Sequence, residues 1–508
     1  VSLVSPLLVR HPQRLLSVDA TAMGFTPDAV DRLPWGRVFA EMEALEAGAL
    51  ANADEGRQVG HYWLRAPELA PSVGQAREIH ETLDGVLALA EDVRSGAVRS
   101  EDGLPYTDVL HLGIGGSALG PQLLVDGLQD GTGLRVHFLD NTDPDGIERV
   151  LRSIGDRLRH TLVVVVSKSG ETWETTNTMH LVIDRLVERG LGAHGRFVAI
   201  TGTDSELDRR ARADGWLHRF PLWDWVGGRT SVTSSVGLLP AAFAGVQIPA
   251  FLAGAREIDS WTRTWSWRDN PAALLAASWY LAGNGKGDRH LVVLPYADRL
   301  LLLSRYLQQL VMESLGKRHD RQGNVVHQGL TVLGNKGSTD QHAFVQQLRD
   351  GRNDFSVSFV QVLSDGIGSG ANVSPGANAG DYLQGFLLGT RRALSAEGRP
   401  SLVLSIPTAD ARGFGRLVAV FERAVGFYGS LVDVNAYDQP GVEAGKKAAS
   451  KVLDLSGAVR AVLTDEPADA AVLAARLGAD PVEVFHLLER LVETGRAVRE
   501  GEAYARGR

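Results

Sequence analysis

Cysteine is absent from all 508 residues. Disulfides, thiolate zinc sites, iron–sulfur clusters and a cysteine nucleophile are therefore excluded. Lysine is scarce: only 7 of the 52 basic residues are lysine, and 45 are arginine. The formal net charge of −9 comes without a basic stripe, which argues against nucleic acid as a main partner. Long apolar runs are also missing. The nearest approach is the uncharged stretch 230–255, but Pro240 and Pro249 interrupt it and its Thr and Ser residues make it too polar to span a bilayer. Residues 1–25 contain Arg10 and Arg14 but no apolar stretch followed by a small-residue cleavage site, so no targeting segment is expected. The expectation is a cytoplasmic protein with no membrane partner.

Hydrophobic residues make up 44% and charged residues 22%, a balance that excludes wholesale disorder and allows a large buried core. Residues 1–100 carry helical periodicity and few strand signals. Beyond them, β-branched runs at 109–114, 134–140, 162–167, 197–201 and 219–222 alternate with amphipathic segments. A second block repeats the rhythm, with strands expected at 291–296, 330–334, 355–362 and 401–406. Such βα alternation predicts an α/β fold of two doubly wound parallel sheets, with ligand sites at the carboxyl ends of the strands. The expected organisation is a helical N-terminal region (1–100), a first α/β domain (101–245), connecting helices (246–285) and a second α/β domain (286–455). A small winged-helix-like appendage (456–508) follows. Seven arginines face nine acids in that appendage, the wrong balance for tracking phosphates, so a packing role is expected.

Six segments carry chemistry. In 111–121, Gly115, Gly116 and Ser117 sit between a strand and a helix, where backbone N–H groups can hold an anion. Gly113, Gly115 and Ala118 also fit the relaxed dinucleotide fingerprint, and Asp140 ends the next strand where a ribose-binding acid would lie. An NAD-dependent dehydrogenase and a plain tight turn are thus both open readings of this segment. The turn Ser167, Lys168, Ser169, Gly170, Glu171, Thr172 is rich in hydroxyls and suits a phosphomonoester, with helix capping as the alternative. A dinucleotide site has no need of this second cradle.

In 226–235 a single arginine, Arg229, follows Gly227 and Gly228, so it can approach a ligand closely and offset developing negative charge. Glu313 follows Leu310, Val311 and Met312, an apolar setting that would raise a buried carboxylate's pKa towards that of a general base. His342 lies near a helix start beside Gln341. The stretch 437–446 gathers Gln439, Glu443 and Lys446. No segment has metal-ligand spacing, and neither metal nor cofactor is expected.

Together the segments GIGGSALGP, SKSGETWET, GGRTSVTSSVG, QQLVMESLGK, GSTDQHAF and DQPGVEAGK, in that order over residues 113–446, resemble the phosphoglucose isomerase family. The resemblance implies two sugar-isomerase (SIS) domains, a homodimer, and interconversion of glucose 6-phosphate and fructose 6-phosphate through ring opening and a cis-enediol. It assigns phosphate binding to Gly116, Ser117, Ser167, Lys168, Ser169 and Thr172, with Glu174 contributing to the same site. Gly228 and Arg229 match the loop that stabilises the enediolate. Gln309 and Glu313 match the helix that bears the catalytic base. His342 matches the histidine that assists ring opening from the partner subunit, and Gln439 and Lys446 match the last motif, whose lysine also acts in ring opening.

The chain departs from the family at Leu315, where many members have Asn, and at Glu171, an extra acid in the phosphate turn. Other readings are a bifunctional phosphoglucose/phosphomannose isomerase and a non-catalytic sugar-phosphate-binding protein. The scarce lysines support the enzyme: Lys168, Lys317 and Lys446 fall within these motifs, and Lys336 immediately precedes GSTDQHAF. Lys446 also has a chemical reason to be there, since an ammonium can give up a proton to a sugar oxygen and a guanidinium cannot.

Overall fold

Three strands, Asp108–Leu112, Thr161–Val166 and Phe197–Thr201, are buried along their whole length. A strand without an alternating solvent face needs cover on both sides, which is the condition of a parallel sheet flanked by helices. A computed structural model describes residues 5–507 apart from Ser369, without the side chains of residues 442–444, 446 and 447. In it the first sheet runs Arg135–Leu139, Asp108–Leu112, Thr161–Val166, Phe197–Thr201, His218–Pro221, all parallel. The winding reverses between Asp108–Leu112 and Thr161–Val166, so a crevice opens at the carboxyl ends of those two neighbours.

The second sheet repeats this winding with Val332–Leu333, His290–Tyr296, Phe355–Val362 and Ser401–Ile406, again all parallel. It then gains two antiparallel strands from the N-terminal region, Ser17–Ala22 beside Ser401–Ile406 and Leu8–Arg10 at the edge. That region is therefore not wholly helical, contrary to the periodicity reading. In Ser17–Ala22 only Val18 and Ala20 are buried, and Asp19 pairs outward with Arg391 at 2.7 Å. Two small apolar side chains make too weak an alternation to read from sequence.

Helices Ile248–Thr262, Pro271–Ala282 and Ala411–Leu431 share one core with both sheets, and Ala411–Leu431 is buried from Gly413 to its end. Residues 1–438 accordingly form one compact unit and 439–508 a second. The boundary expected at 455 falls within the continuous helix Pro440–Val462. In the second unit, helices Ala470–Leu477 and Pro481–Glu493 pack with a three-stranded antiparallel sheet, ordered Ala468–Asp469, Ala503–Arg506, Ala497–Glu500. Val459, Leu473, Val484, Leu488 and Tyr504 form its own core, the arrangement of a winged helix. No helix among the described residues is long and apolar enough to cross a membrane.

Candidate active site

The switch-point crevice holds both hydroxyl-bearing turns. Leu112 lies opposite Val165 in the parallel ladder, so residues 113–117 and 167–172 leave adjacent strands side by side. Buried His111 fixes the first turn by donating from Nε2 to the Ser117 carbonyl at 2.7 Å, and burial lowers its imidazole pKa to about 4. In the second turn the Ser167 hydroxyl donates to Thr172 Oγ1 at 3.1 Å and accepts from the Gly170 amide at 3.1 Å. Ser169 Oγ accepts from the Glu171 amide. No side chain caps helix Trp173–Val187. Its first-turn N–H groups are thus left for an anion, which a helix N-terminus favours. Glu174 lies in that turn, and the extra acid Glu171 is exposed.

Lys168 is directed away from the turn. Its ammonium donates to the carbonyls of Asp224 and Val226 at 3.0 and 3.1 Å, tying the phosphate turn to the approach of the arginine loop. Burial, with a contribution from Arg57, brings its pKa down to about 8. Asp140, the ribose candidate of the dehydrogenase reading, accepts from Gln122 at 2.9 Å and lies 3.5 Å from Arg305.

The arginine loop presses on the first turn. A methyl group at Gly116 would lie 2.0 Å from the Gly228 carbonyl oxygen, so the two backbones are in direct contact. Ser231 Oγ lies within hydrogen-bonding distance of both carbonyls, 3.3 Å from Gly116 O and 2.7 Å from Gly228 O. Arg229 is thereby carried into the crevice. One guanidinium nitrogen donates to the carbonyls of Ala436 and Asp438 at 3.0 and 2.7 Å, and the other lies 3.2 Å from Glu313 Oε1. The guanidinium is nearly sealed from solvent, and burial lowers its pKa against the opposing pull of Glu313 and Asp438.

Glu313 closes a six-residue π-helical turn, Gln308–Glu313, after the α-helical Leu303–Leu307. Such wide turns re-aim side chains and recur at functional sites. Leu310 and Val311 are buried as expected, but the carboxylate does not lie in an apolar pocket: it faces Arg229. Gln309 shares the turn, and its Nε2 would lie 3.3 Å from a methyl group on Gly115. One turn beyond Glu313, Lys317 donates to the Glu313 carbonyl at 3.2 Å and the Asp438 carbonyl at 2.7 Å, and pairs with the Asp438 carboxylate at 2.7 Å.

Of the expected residues, the structure thus brings together Gly116, Ser117, Gly228, Arg229, Gln309 and Glu313. Ser167, Lys168, Ser169, Thr172 and Glu174 stand at the neighbouring strand end. His342 ends the short helix Thr339–His342 and is exposed, while Gln341 beside it is held by Tyr296, Phe386 and Thr390. Gln439 opens the second compact unit, and Lys446 lies outside the described side chains. Sequence reasoning missed the roles of His111, Lys317 and Asp438. The rarity of lysine was the available signal for Lys317; Asp438 opens the DQPGVEAGK motif, but nothing in the sequence gave it a role.

The family model for phosphoglucose isomerase matches residues 34–372 and 388–472. The chain belongs to the phosphoglucose isomerase family. It is 54% identical over 464 residues to a glucose-6-phosphate isomerase of Citrifermentans bemidjiense, covering 91% of this chain and 88% of the relative. With one of Thermosynechococcus vestitus it shares 51% identity over 500 residues, 97% of this chain and 94% of the relative. The crystal structure of a glucose-6-phosphate isomerase from Chlamydia trachomatis superposes with a TM-score of 0.78 at 28% identity, covering 87% and 89% of the two chains. The two segments matched by the phosphoglucose isomerase model include all six motifs, from GIGGSALGP to DQPGVEAGK.

Proposed function

We propose that Glu313 and Arg229 perform the central step in the interconversion of glucose 6-phosphate and fructose 6-phosphate, the reaction of this family. The observation that carries this reading is their 3.2 Å pairing beside the Gly116–Gly228 contact. The phosphate is held by Gly116, Ser117, Ser167, Ser169 and Thr172 at the helix start, with Lys168 fixing the turn. Glu174, Gly228, Gln309 and Gln439 contact the sugar. His342 and Lys446 open the ring by moving a proton between the ring oxygen and the anomeric hydroxyl. Glu313 then takes the proton from C2 of the aldose and returns it to C1 of the cis-enediol, and the reverse direction uses the same base. As charge develops on the sugar oxygens, the Arg229 nitrogen facing Glu313 is placed to meet it. The assembly this reading carries is a cytoplasmic homodimer in which each subunit lends His342 to the other. The exposure of His342 at the end of Thr339–His342 supports that role.

Glu313→Gln tests the reading. The variant should bind fructose 6-phosphate with near-normal affinity by calorimetry while kcat falls by roughly 10²–10⁴, the span of general-base catalysis. Turnover at the wild-type rate would refute the assignment.

A further inference from the structure

Four charges meet at the candidate base, two of each sign: Glu313 itself, Arg229, Lys317 and Asp438. Arg229 and Lys317 converge on the same backbone oxygen, that of Asp438, each at 2.7 Å. The two cations are buried, with side-chain exposures of 4% for Arg229 and 5% for Lys317, and Asp438 is largely covered at 13%. We infer that Lys317 is a positioning residue for Arg229, engaging the Asp438 carboxylate so that the guanidinium stays turned towards Glu313 and the substrate.

The physical case rests on competition. The Asp438 carboxylate is near enough to Arg229 to be among the charges that stabilise its cation. In a poorly solvated site an unpaired carboxylate seeks the nearest cation, because leaving it unpaired is costly. With Lys317 in place, Asp438 holds its ion pair at 2.7 Å, and Arg229 receives from this residue only the carbonyl bond at its far edge. Without Lys317, the guanidinium is the remaining buried partner and is drawn from Glu313 towards Asp438. Lys317 also donates to the Glu313 carbonyl, so the residue that quenches Asp438 tethers the end of the π-helical turn. Asp438 stands at the end of the 436–438 segment whose carbonyls hold Arg229, so a shift there reaches the guanidinium directly.

This inference rests on the enediolate role given to Arg229, and the test separates the two. Lys317→Met should lower kcat by about 10- to 100-fold, the cost of misplacing a charge-stabilising group by about 1 Å, with KM changed less than about threefold. Adding Asp438→Asn to the same chain should restore most of the lost kcat, because the competing carboxylate is gone; a purely structural lysine would show no such rescue. Wild-type kcat in Lys317→Met, or an unrescued loss in the double variant, overturns the inference. Should Lys317→Met fail to fold, Lys317→Gln keeps a donor for the Asp438 carbonyl and is read the same way, alone and with Asp438→Asn. Arg229→Ala, measured alongside, must also lose kcat. If it does not, the enediolate reading falls; if it does while the Lys317 variants keep wild-type kcat, only the positioning role falls.

Discussion

A single missing methyl group decides whether the phosphate turn and the arginine loop can touch. Gly116 is buried against the Gly228 carbonyl, and a Cβ there would meet backbone rather than a side chain that could swing away. Gly116→Ala should therefore push residues 227–229 outward. We expect kcat to drop by about 10-fold or more, since displacement on the ångström scale is enough to uncouple a positioned group, and KM for the sugar phosphate to rise because the same turn carries Ser117. Steady-state kinetics with fructose 6-phosphate checks this, and unchanged constants would mean the contact is incidental. The residues legible at this scale were those with an unusual neighbourhood: an arginine after two glycines, hydroxyls in a turn, a lysine where arginine is the rule. Asp438 stood in a recognised motif without a role, because that role depends on Arg229 and Lys317, which reach it from distant positions in the chain.

Elements were legible where burial was two-sided and failed where it was marginal. The strands Phe197–Thr201, Phe355–Val362 and Ser401–Ile406 match the periodicity reading, since short runs this rich in β-branched and apolar residues suit a buried strand. The segment leading to Glu313 does not wind as one α-helix: a 3₁₀ turn at Asp298–Leu300 is followed by an α-helix at Leu303–Leu307 and the π turn carrying Glu313. Hydrophobic spacing does not distinguish these windings over so few residues. The strand-to-turn element at His111 carries a pH prediction. Its folded pKa of about 4 lies below the ordinary value of 6.5, so below pH 6.5 the unfolded chain binds a proton that the folded chain refuses. Stability from this group is complete above pH 6.5 and declines as the pH falls towards 4, by up to about 3 kcal/mol. His111→Gln should flatten that portion of the Tm-versus-pH curve between pH 6.5 and 4. A curve of unchanged slope would show that the imidazole does not contribute.

At the scale of the whole molecule, the two windings were legible but their union into one unit was not. Charged residues far apart in sequence meet inside the shared core. Arg65 pairs with Asp259 at 2.6 Å and with Glu422 at 2.5 Å, while Arg423 pairs with Glu46 and Asp259. These pairs also account for part of the arginine bias, since a planar fork satisfies two carboxylates where an ammonium does so less well. The proposed exchange of His342 between subunits belongs at this scale too. Mixed dimers of His342→Ala and Glu313→Gln chains contain one site with both defects and one with neither, so purified heterodimers should recover about half of the wild-type activity per dimer. Either parent alone should stay near background. No recovery would place His342 in its own subunit's site.

The strand Ser17–Ala22 joins the sheet through Ser401–Ile406, a partner about 380 residues later in the chain. During synthesis at about 5–20 residues per second, the N-terminal segment waits roughly 20–75 s for that partner to be made. For that interval Val18 and Ala20 cannot occupy their native places, because the Ser401–Ile406 edge they pair with does not yet exist. Completion of the second sheet is thus a late event in time, set by a short strand made early that docks only after Ser401–Ile406 emerges.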